Sequence, residues 1–446
     1  MNMQTLFNKI DEYSEKILEC ERYIWKNPET GYKEYKTSEY MKERFAELGY
    51  DIICGEDITG FYTVIDTGRE GPEVLVLGEL DSVICPTHPE ADKVSGAVHA
   101  CGHNAQCAAL LGVAAALRAE GALDGLSGRI RLCAVPAEEL IEIEYRMKLK
   151  EEGKIKFFGG KSEFLSRGYF DGVDIALMVH TSSKYFVEKG MVGCLAKKII
   201  YKGLAAHAGG SPWLGKNALY AATSGINAAN ALRETFREND LIRFHPIITS
   251  GGDMVNAIPE RVTIESYVRG KSFEAIVDAN KRINRALTGA ALSLGNNIEI
   301  IDMPGYSPLF NDDKLIGLAE EAFGTLGIDE KLDVSYGKFS SGSTDMGDIS
   351  CIMPVVHGWA KGAVGKGHGN DYMIEDPINA CINSAKWQLA MLSLLLKDGA
   401  VRAKEIIDGF EPRFKSKEEF LSFVDSLNNS GDRIEYTDFG ATVRLD

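Results

Sequence analysis

Three apolar runs, Val74 to Gly78, Arg129 to Val135 and Val173 to Val179, each hand over to polar side chains at their carboxyl ends. The first runs into Glu79-Leu-Asp81, the second into Pro136-Ala-Glu138-Glu139 and the third into His180. Near-continuous apolar runs of this length fit strands buried on both faces, as in a parallel sheet covered by helices. Helical patterns lie between them, which is the alternation of a doubly wound α/β sheet. Open α/β sheets take ligands at the carboxyl ends of their strands. Asp81, Glu138, Glu139 and His180 are therefore candidate site residues.

A second cluster, His99-Ala-Cys101-Gly-His103-Asn104, precedes the alanine-rich run Ala105 to Leu117. Asn104 is suited to cap that helix, and Gly121 to end it. Residues two apart face the same way in an extended segment, so Cys101 and His103 can aim at one point while Gly102 lets the backbone bend. Thiolate and imidazole together suit zinc and its neighbours. A buried structural cysteine and a capping histidine are the plain alternatives.

Adjacent Glu138 and Glu139 can divide labour, one binding metal and the other acting as general base, or can be solvated carboxylates. His180 fits a core histidine as well as a ligand. His368, among the glycines of the loop around Gly365, fits a plain loop residue equally.

Residues 3 to 48 carry helical periodicity broken at Asn27-Pro28, which predicts two surface helices about a turn. Leu140 to Gly160 is a charged interruption, expected to be a surface insertion with at least one helical turn. From Gly193 to Asp302 the pattern changes to strands at Lys197 to Tyr201, Ile247 to Thr249 and Arg261 to Val268, with helices at Asn217 to Arg233 and Phe273 to Leu294. The α/β pattern resumes after Pro304 with a helix over 312 to 326, a strand over Ile352 to Gly358 and a helix over Pro377 to Leu396. The expected organisation is a discontinuous α/β domain (1–192 and 303–399), an α+β insert (193–302) and a C-terminal appendage (400–446).

The 446 residues carry a net charge of -16, which argues against nucleic acid or an anionic membrane as partner. No stretch approaches the ~18 uninterrupted apolar residues of a membrane span. Nine cysteines without a C-x-x-C pair, and a start lacking the apolar core of a signal peptide, lead to the expectation of a cytoplasmic protein. No G-x-S-x-G elbow is present for a serine hydrolase, and no G-x-G-x-x-G follows a strand.

The ordered motifs WKNPETGYKE (Trp25 to Glu34), LGELDS (Leu77 to Ser82), HACGHN (His99 to Asn104), PAEE (Pro136 to Glu139), His180, GLAAHA (Gly203 to Ala208), VNAIPE (Val255 to Glu260), GSTDMGD (Gly342 to Asp348) and His368 resemble the M20 metallopeptidase family. More narrowly they are similar to its amidohydrolase branch, which includes aminobenzoyl-glutamate and indole-acetyl-amino-acid hydrolases. The match spans nearly everything except the 140–160 insert and the tail after about residue 400.

The resemblance implies a mostly parallel α/β catalytic domain interrupted by a smaller α+β lid that also forms a homodimer. It implies two divalent ions per subunit, zinc or manganese, on Cys101, His103, Glu139, His180 and His368, with Cys101 bridging. It places the general base on Glu138, an oxyanion-binding imidazole on His207, and Asp81 beside a ligand imidazole. Asn256, Arg261 and Arg269 are candidates to hold a substrate carboxylate, though both arginines equally fit strand-edge surface charges. Two departures stand out: Asn104 replaces the aspartate usual in this branch, and Leu140 begins an insert where a glycine-rich turn is usual. The expected activity is hydrolysis of the amide of an N-acyl or N-aroyl amino acid or small dipeptide. A silent protein binding an amino-acid-like ligand on the same fold is the alternative.

Overall fold

The computed structural model describes residues 3–55 and 57–445, and it sets the three apolar runs side by side. The strand Glu73–Glu79 lies between Arg129–Val135 and Ile175–Ser182, parallel to both. Val355–Lys361 continues the parallel set beyond Ile175–Ser182, while Phe61–Asp66 closes the other side antiparallel to Arg129–Val135. Every residue of Glu73–Glu79 is buried, as a central strand covered on both faces requires. The third strand runs two residues past His180, because Trp359 and Lys361 pair with His180 and Ser182. His180 is thus in the last stretch of the ladder rather than beyond it.

The helix His103–Leu117 buries every residue except Ala115. An alanine-rich helix that is apolar all round can only be an interior helix. Ile17 from the N-terminal helix Ser14–Lys26 and Ala385 from Ser384–Leu396 press on Gly112, where a Cβ would come to 2.9 Å and 3.0 Å from them. The N-terminal segment forms three helices, Met3–Glu12, Ser14–Lys26 and Tyr35–Glu47, one more than the sequence predicts. The added break falls at Tyr13, whose N–H bonds back to Lys9 and Ile10 before the next helix begins.

The chain forms two compact units. The first comprises residues 1–190, 310–339 and 344–417; the second comprises 191–309, 340–343 and 418–446. The segment 400–446 is thus divided between them. In the second unit an antiparallel sheet orders Ile247–Ser250, Arg261–Gly270, Gly193–Lys202, Asn297–Pro304 and Asn429–Asp432. Arg261–Gly270 alternates buried and half-exposed residues, the signature of a sheet with one covered face. That face is covered by Ala218–Asn230 and Phe273–Ser293, the second of which begins at Ser272, whose hydroxyl accepts from the Ala275 N–H. Asn297–Pro304 is an addition to the expected strands; Gly295, at φ 69, ends the long helix before it, and Ile298 and Ile300 are buried in alternation with half-exposed residues.

Among the described residues no helix is long and apolar enough to cross a membrane. The contact at Gly112 supplies a stability test. Gly112→Val would overpack three helices, and urea denaturation should show a loss of about 1 to 3 kcal/mol; unchanged stability would mean the helices do not meet there.

Candidate metal centre

The carboxyl ends of the parallel strands converge on the start of the buried helix. Gly102, at φ 88, turns the chain between Cys101 and His103 and serves as the helix N-cap residue. A Cβ there would collide with the hydroxyls of Thr181 and Tyr372. The turn therefore depends on glycine in both conformation and space. Asn104 is not the cap: it sits within the first turn, and its amide donates to the buried Glu21 carboxylate at 2.7 Å. The helix ends at Leu117, and Gly121 belongs to the following turn.

Two groups of donor atoms share Cys101, and a third, His103, Glu138 and Glu139, takes one residue from each of them and adds Glu138. Cys101, His103 and His180 make one; Cys101, Glu139 and His368 make the other, with the donors of each group within 4.8 Å of one another. Cys101 Sγ lies 3.4 Å from His180 Nε2, and His368 Nε2 lies 3.0 Å from Glu139 Oε1. The His368 backbone, at φ 62, is pinned by an N–H bond to the Ala100 carbonyl at 2.7 Å. His103 Nδ1 is 2.8 Å from the Asp81 carbonyl and 3.3 Å from its carboxylate, leaving Nε2 as the free donor. The other Asp81 oxygen accepts from the Glu139 N–H at 2.8 Å.

These donors fit divalent metal. His103 Nε2 is fully buried, 3.2 Å from the Glu79 carboxylate and 4.0 Å from that of Glu138, so thiol, imidazole and carboxylate groups converge on a small buried volume whose excess of acceptors a divalent cation would satisfy. Thiolate, imidazole and carboxylate are the ligands zinc and manganese take. A further carboxylate-rich group, Glu79, Glu138 and Asp345, is different in kind. The fully buried Lys161 ammonium contacts both Glu79 and Asp345, so a protein cation already fills it.

Burial pushes the Glu79 carboxyl up, but Lys161, His103 and His180 together hold it well below its usual range. Burial, and then the carboxylates of Glu79, Glu139 and Asp345, push Glu138 well above its usual range. Its Oε2 stands 4.0 Å from His103 Nε2. Adjacent glutamates are thereby driven apart, since His368 and His103 hold Glu139 low against its own burial. Two further histidines, His99 and His357, are buried with both ring nitrogens unpartnered, and burial holds each at about 3 and neutral.

The remaining sequence candidates lie in the second unit. His207 is exposed, and its Nδ1 accepts from the Gly209 and Gly210 N–H groups at 3.1 Å and 2.9 Å. The neutral ring consequently carries its proton on Nε2, facing outward. Asn256 is exposed, and its carbonyl accepts from Ala208. Arg261 is exposed at the start of its strand, whereas Arg269 is half-buried, bonded to the Ser343 hydroxyl at 3.2 Å and set over the Tyr267 ring. Glu34, Glu79, Arg146, Lys161 and Asp345 are site residues that the sequence alone does not single out. The motifs LGELDS and GSTDMGD contain Glu79 and Asp345, and WKNPETGYKE contains Glu34, but nothing in a single sequence marks them as buried.

Burial and the Glu139 carboxylate push the Cys101 thiol up, and the His103 and His180 imidazoles outweigh them, leaving it at about 6. In protein stripped by a chelator, alkylation of Cys101 by iodoacetamide, followed by peptide mass spectrometry, should be half-maximal near pH 6 and fall below it. A midpoint near the ordinary thiol value of about 8.5 would rule out this electropositive setting.

The family model for "Peptidase family M20/M25/M40" matches residues 75–392. The human Xaa-Arg dipeptidase is 27% identical over 434 residues, covering 94% of this chain and 93% of its own. N-acetyl-L-cysteine deacetylase of Bacillus subtilis (strain 168) is 28% identical over 69% of this chain and 71% of its own. A subunit of the p-aminobenzoyl-glutamate hydrolase of Escherichia coli (strain K12) is 25% identical over 67% of this chain and 60% of its own. Among solved structures, a putative aminohydrolase from methicillin resistant Staphylococcus aureus superposes with a TM-score of 0.70 at 23% identity, covering 89% of this chain and 100% of that one. The Bacillus subtilis YXEP protein, described as a dinuclear metal binding peptidase from the M20 family, has a TM-score of 0.64 at 20% identity, with 86% and 99% covered. With the family match extending over well more than half of its length, the chain belongs to the M20/M25/M40 peptidase family and is a hydrolase.

Proposed function

We infer that the protein is a two-metal amidohydrolase that cleaves the amide of an N-acyl or N-aroyl amino acid or of a small dipeptide. The observation that carries this reading is the pair of donor groups sharing Cys101, with the Glu138 carboxylate within 4.8 Å of donor atoms of His103 and Glu139, one from each group. The names of the relatives support the substrate class: they describe a dipeptidase, an N-acetyl amino acid deacetylase and an aminobenzoyl-glutamate hydrolase.

Cys101, His103 and His180 would hold one ion and Cys101, Glu139 and His368 the other. Divalent zinc or manganese there would supply Lewis acidity and a water that ionises near neutral pH. Glu138, as the ionised carboxylate, takes the proton of the attacking water and, now protonated in surroundings that favour the neutral acid, returns it to the leaving amine. Asp81 keeps the His103 ring oriented and holds the Glu139 backbone. His207, whose Nδ1 accepts from Gly209 and Gly210 and whose proton is left on Nε2, donates to the oxyanion in the active site of the partner subunit, and Asn256, Arg261 and Arg269 are the groups available for the substrate carboxylate.

The second unit also supports a homodimer. Ile247–Ser250 is an edge strand with all four residues exposed, and Tyr220 on the neighbouring helix is 65% exposed. An unpaired apolar edge of this kind is a template for strand pairing.

Metal analysis of the purified protein, with hydrolysis of a panel of N-acyl amino acids and dipeptides, tests the reading directly. Glu138→Gln should retain two metal equivalents and substrate binding while losing on the order of 10²-fold or more in kcat. If the defect instead follows metal loss, Glu138 is a ligand and not the base. Subunit mixing tests the lid histidine: inactive Glu138→Gln and inactive His207→Ala chains should regain activity when exchanged, because one mixed-dimer site then contains both groups intact. No recovery, with exchange verified by mass-tagged subunits, would confine His207 to its own chain.

A further inference from the structure

The charged insert that begins at Leu140 carries a helix, Ile143–Glu151, in which only Arg146 and Leu149 are buried. Surface helices usually bury an apolar stripe. Here the fully buried long side chain is an arginine, and its guanidinium is spent on main-chain carbonyls. It donates to Glu139, to Phe158 at 2.5 Å and, more weakly, to Ala137 at 3.4 Å.

Two of those carbonyls belong to the turn that presents Glu138 and Glu139. That turn is under strain, since Ala137 has φ 55, a region costing a non-glycine residue about 1 kcal/mol or more. Its N–H groups are held from elsewhere: Ala137 donates to the buried Glu34 at 2.8 Å, and Glu139 to Asp81. Its carbonyls turn the other way, toward the insert. The Gly160 N–H reaches the Ala137 carbonyl at 3.2 Å, and Arg146 supplies the rest. Tyr32 backs the guanidinium with its ring face at 5.5 Å and ties down the insert by donating to the Phe157 carbonyl at 2.9 Å. Gly31 leaves room for this packing, because a Cβ would stand 2.5 Å from Arg146 Nη2 and 2.9 Å from the Ala137 Cα.

We propose that the insert helix is a built-in brace for the metal-site turn and that Arg146 is a positioning residue, setting the direction in which Glu138 and Glu139 project. The inference rests on the two-metal reading for its functional consequence, and on geometry alone for its structural one. The insert thus brings a guanidinium to carbonyls that the Gly160 N–H alone does not satisfy.

The test compares Arg146→Met, which keeps the stem and removes the donors, with Arg146→Lys, which keeps the charge and can reach one carbonyl at a time. In metal-free protein, hydrogen exchange should rise in the peptide covering 137–141 of Arg146→Met, with the strand Glu73–Glu79 unchanged. Zinc titration of the stripped protein should show the weaker of two sites loosened by about 10- to 100-fold. At saturating zinc, kcat should fall at least tenfold with KM within twofold, and Arg146→Lys should be intermediate in all three measurements. Wild-type exchange together with wild-type zinc affinity in Arg146→Met would overturn the brace. If Arg146→Met does not fold, Arg146→Lys decides, and wild-type behaviour in both measurements overturns it. Wild-type protein that takes up no zinc would sink the two-metal reading instead, and the exchange comparison would still judge Arg146.

Discussion

The centre depends on one buried cation. Glu79, Asp81, Glu138, Glu139 and Asp345 are all buried, and Glu79, Glu139 and Asp345 lie close enough to Glu138 to push its carboxyl up. Like charges in a low-dielectric interior repel strongly, and each carries its own desolvation cost. Lys161 offsets this for one pair, with its ammonium on Glu79 and Asp345 and its own N–H on Asp345 at 3.0 Å. The His103 imidazole then faces Glu79 at 3.2 Å, and His368 faces Glu139. What remains uncompensated is the space between the two donor groups, which is where positive charge from outside the chain is most favoured. Removing one partner of such a pair typically costs about 3 to 5 kcal/mol, so Lys161 is as much a part of the centre as the ligands.

Backbone conformation does the aiming. Gly102, Ala137 and His368 all sit at positive φ, each within two residues of a candidate ligand or itself a candidate. A strand alternates its side chains between two faces and cannot by itself bring successive residues onto one point. A left-handed residue breaks that alternation, and its strain persists only because neighbouring bonds hold it: Ala100 for His368, Glu34 and Asp81 for the Ala137 turn.

Apolar periodicity made the parallel strands legible, because a strand covered on both faces has almost no other sequence to use. The candidate ligands stood out for a related reason: Cys101, His103, Glu139 and His180 interrupt apolar or glycine-rich text with metal-binding chemistry. Arg146 and Lys161 were not. Arg146 lies within IEIEYRMKLKEEGKIKFF, where one buried arginine in a run crowded with acids and lysines has no local mark. Burial of a charge is a property of the partners it meets. For Lys161 those partners, Glu79 and Asp345, are far away in the chain, and for Arg146 they are main-chain carbonyls, which no side-chain pattern announces. Asn104 misled for the opposite reason: its preference for helix caps is real, but Gly102 had already made the turn, which freed the amide for another task.

That task links two positions into one unit of inheritance. Asn104 donates to Glu21, whose carboxyl is 3% exposed and pushed up by burial. An aspartate at 104 would bring two carboxylates to hydrogen-bonding distance with no cation between them, and one would have to stay protonated or be replaced. An aspartate at 104 would thus require either a protonated carboxyl or a change at position 21, which couples the two positions. Across related chains they should covary, with an acid at one answered by a neutral or basic group at the other. The asparagine that looks like a departure at the metal site is then the visible half of a compensation whose other half is eighty-three residues upstream.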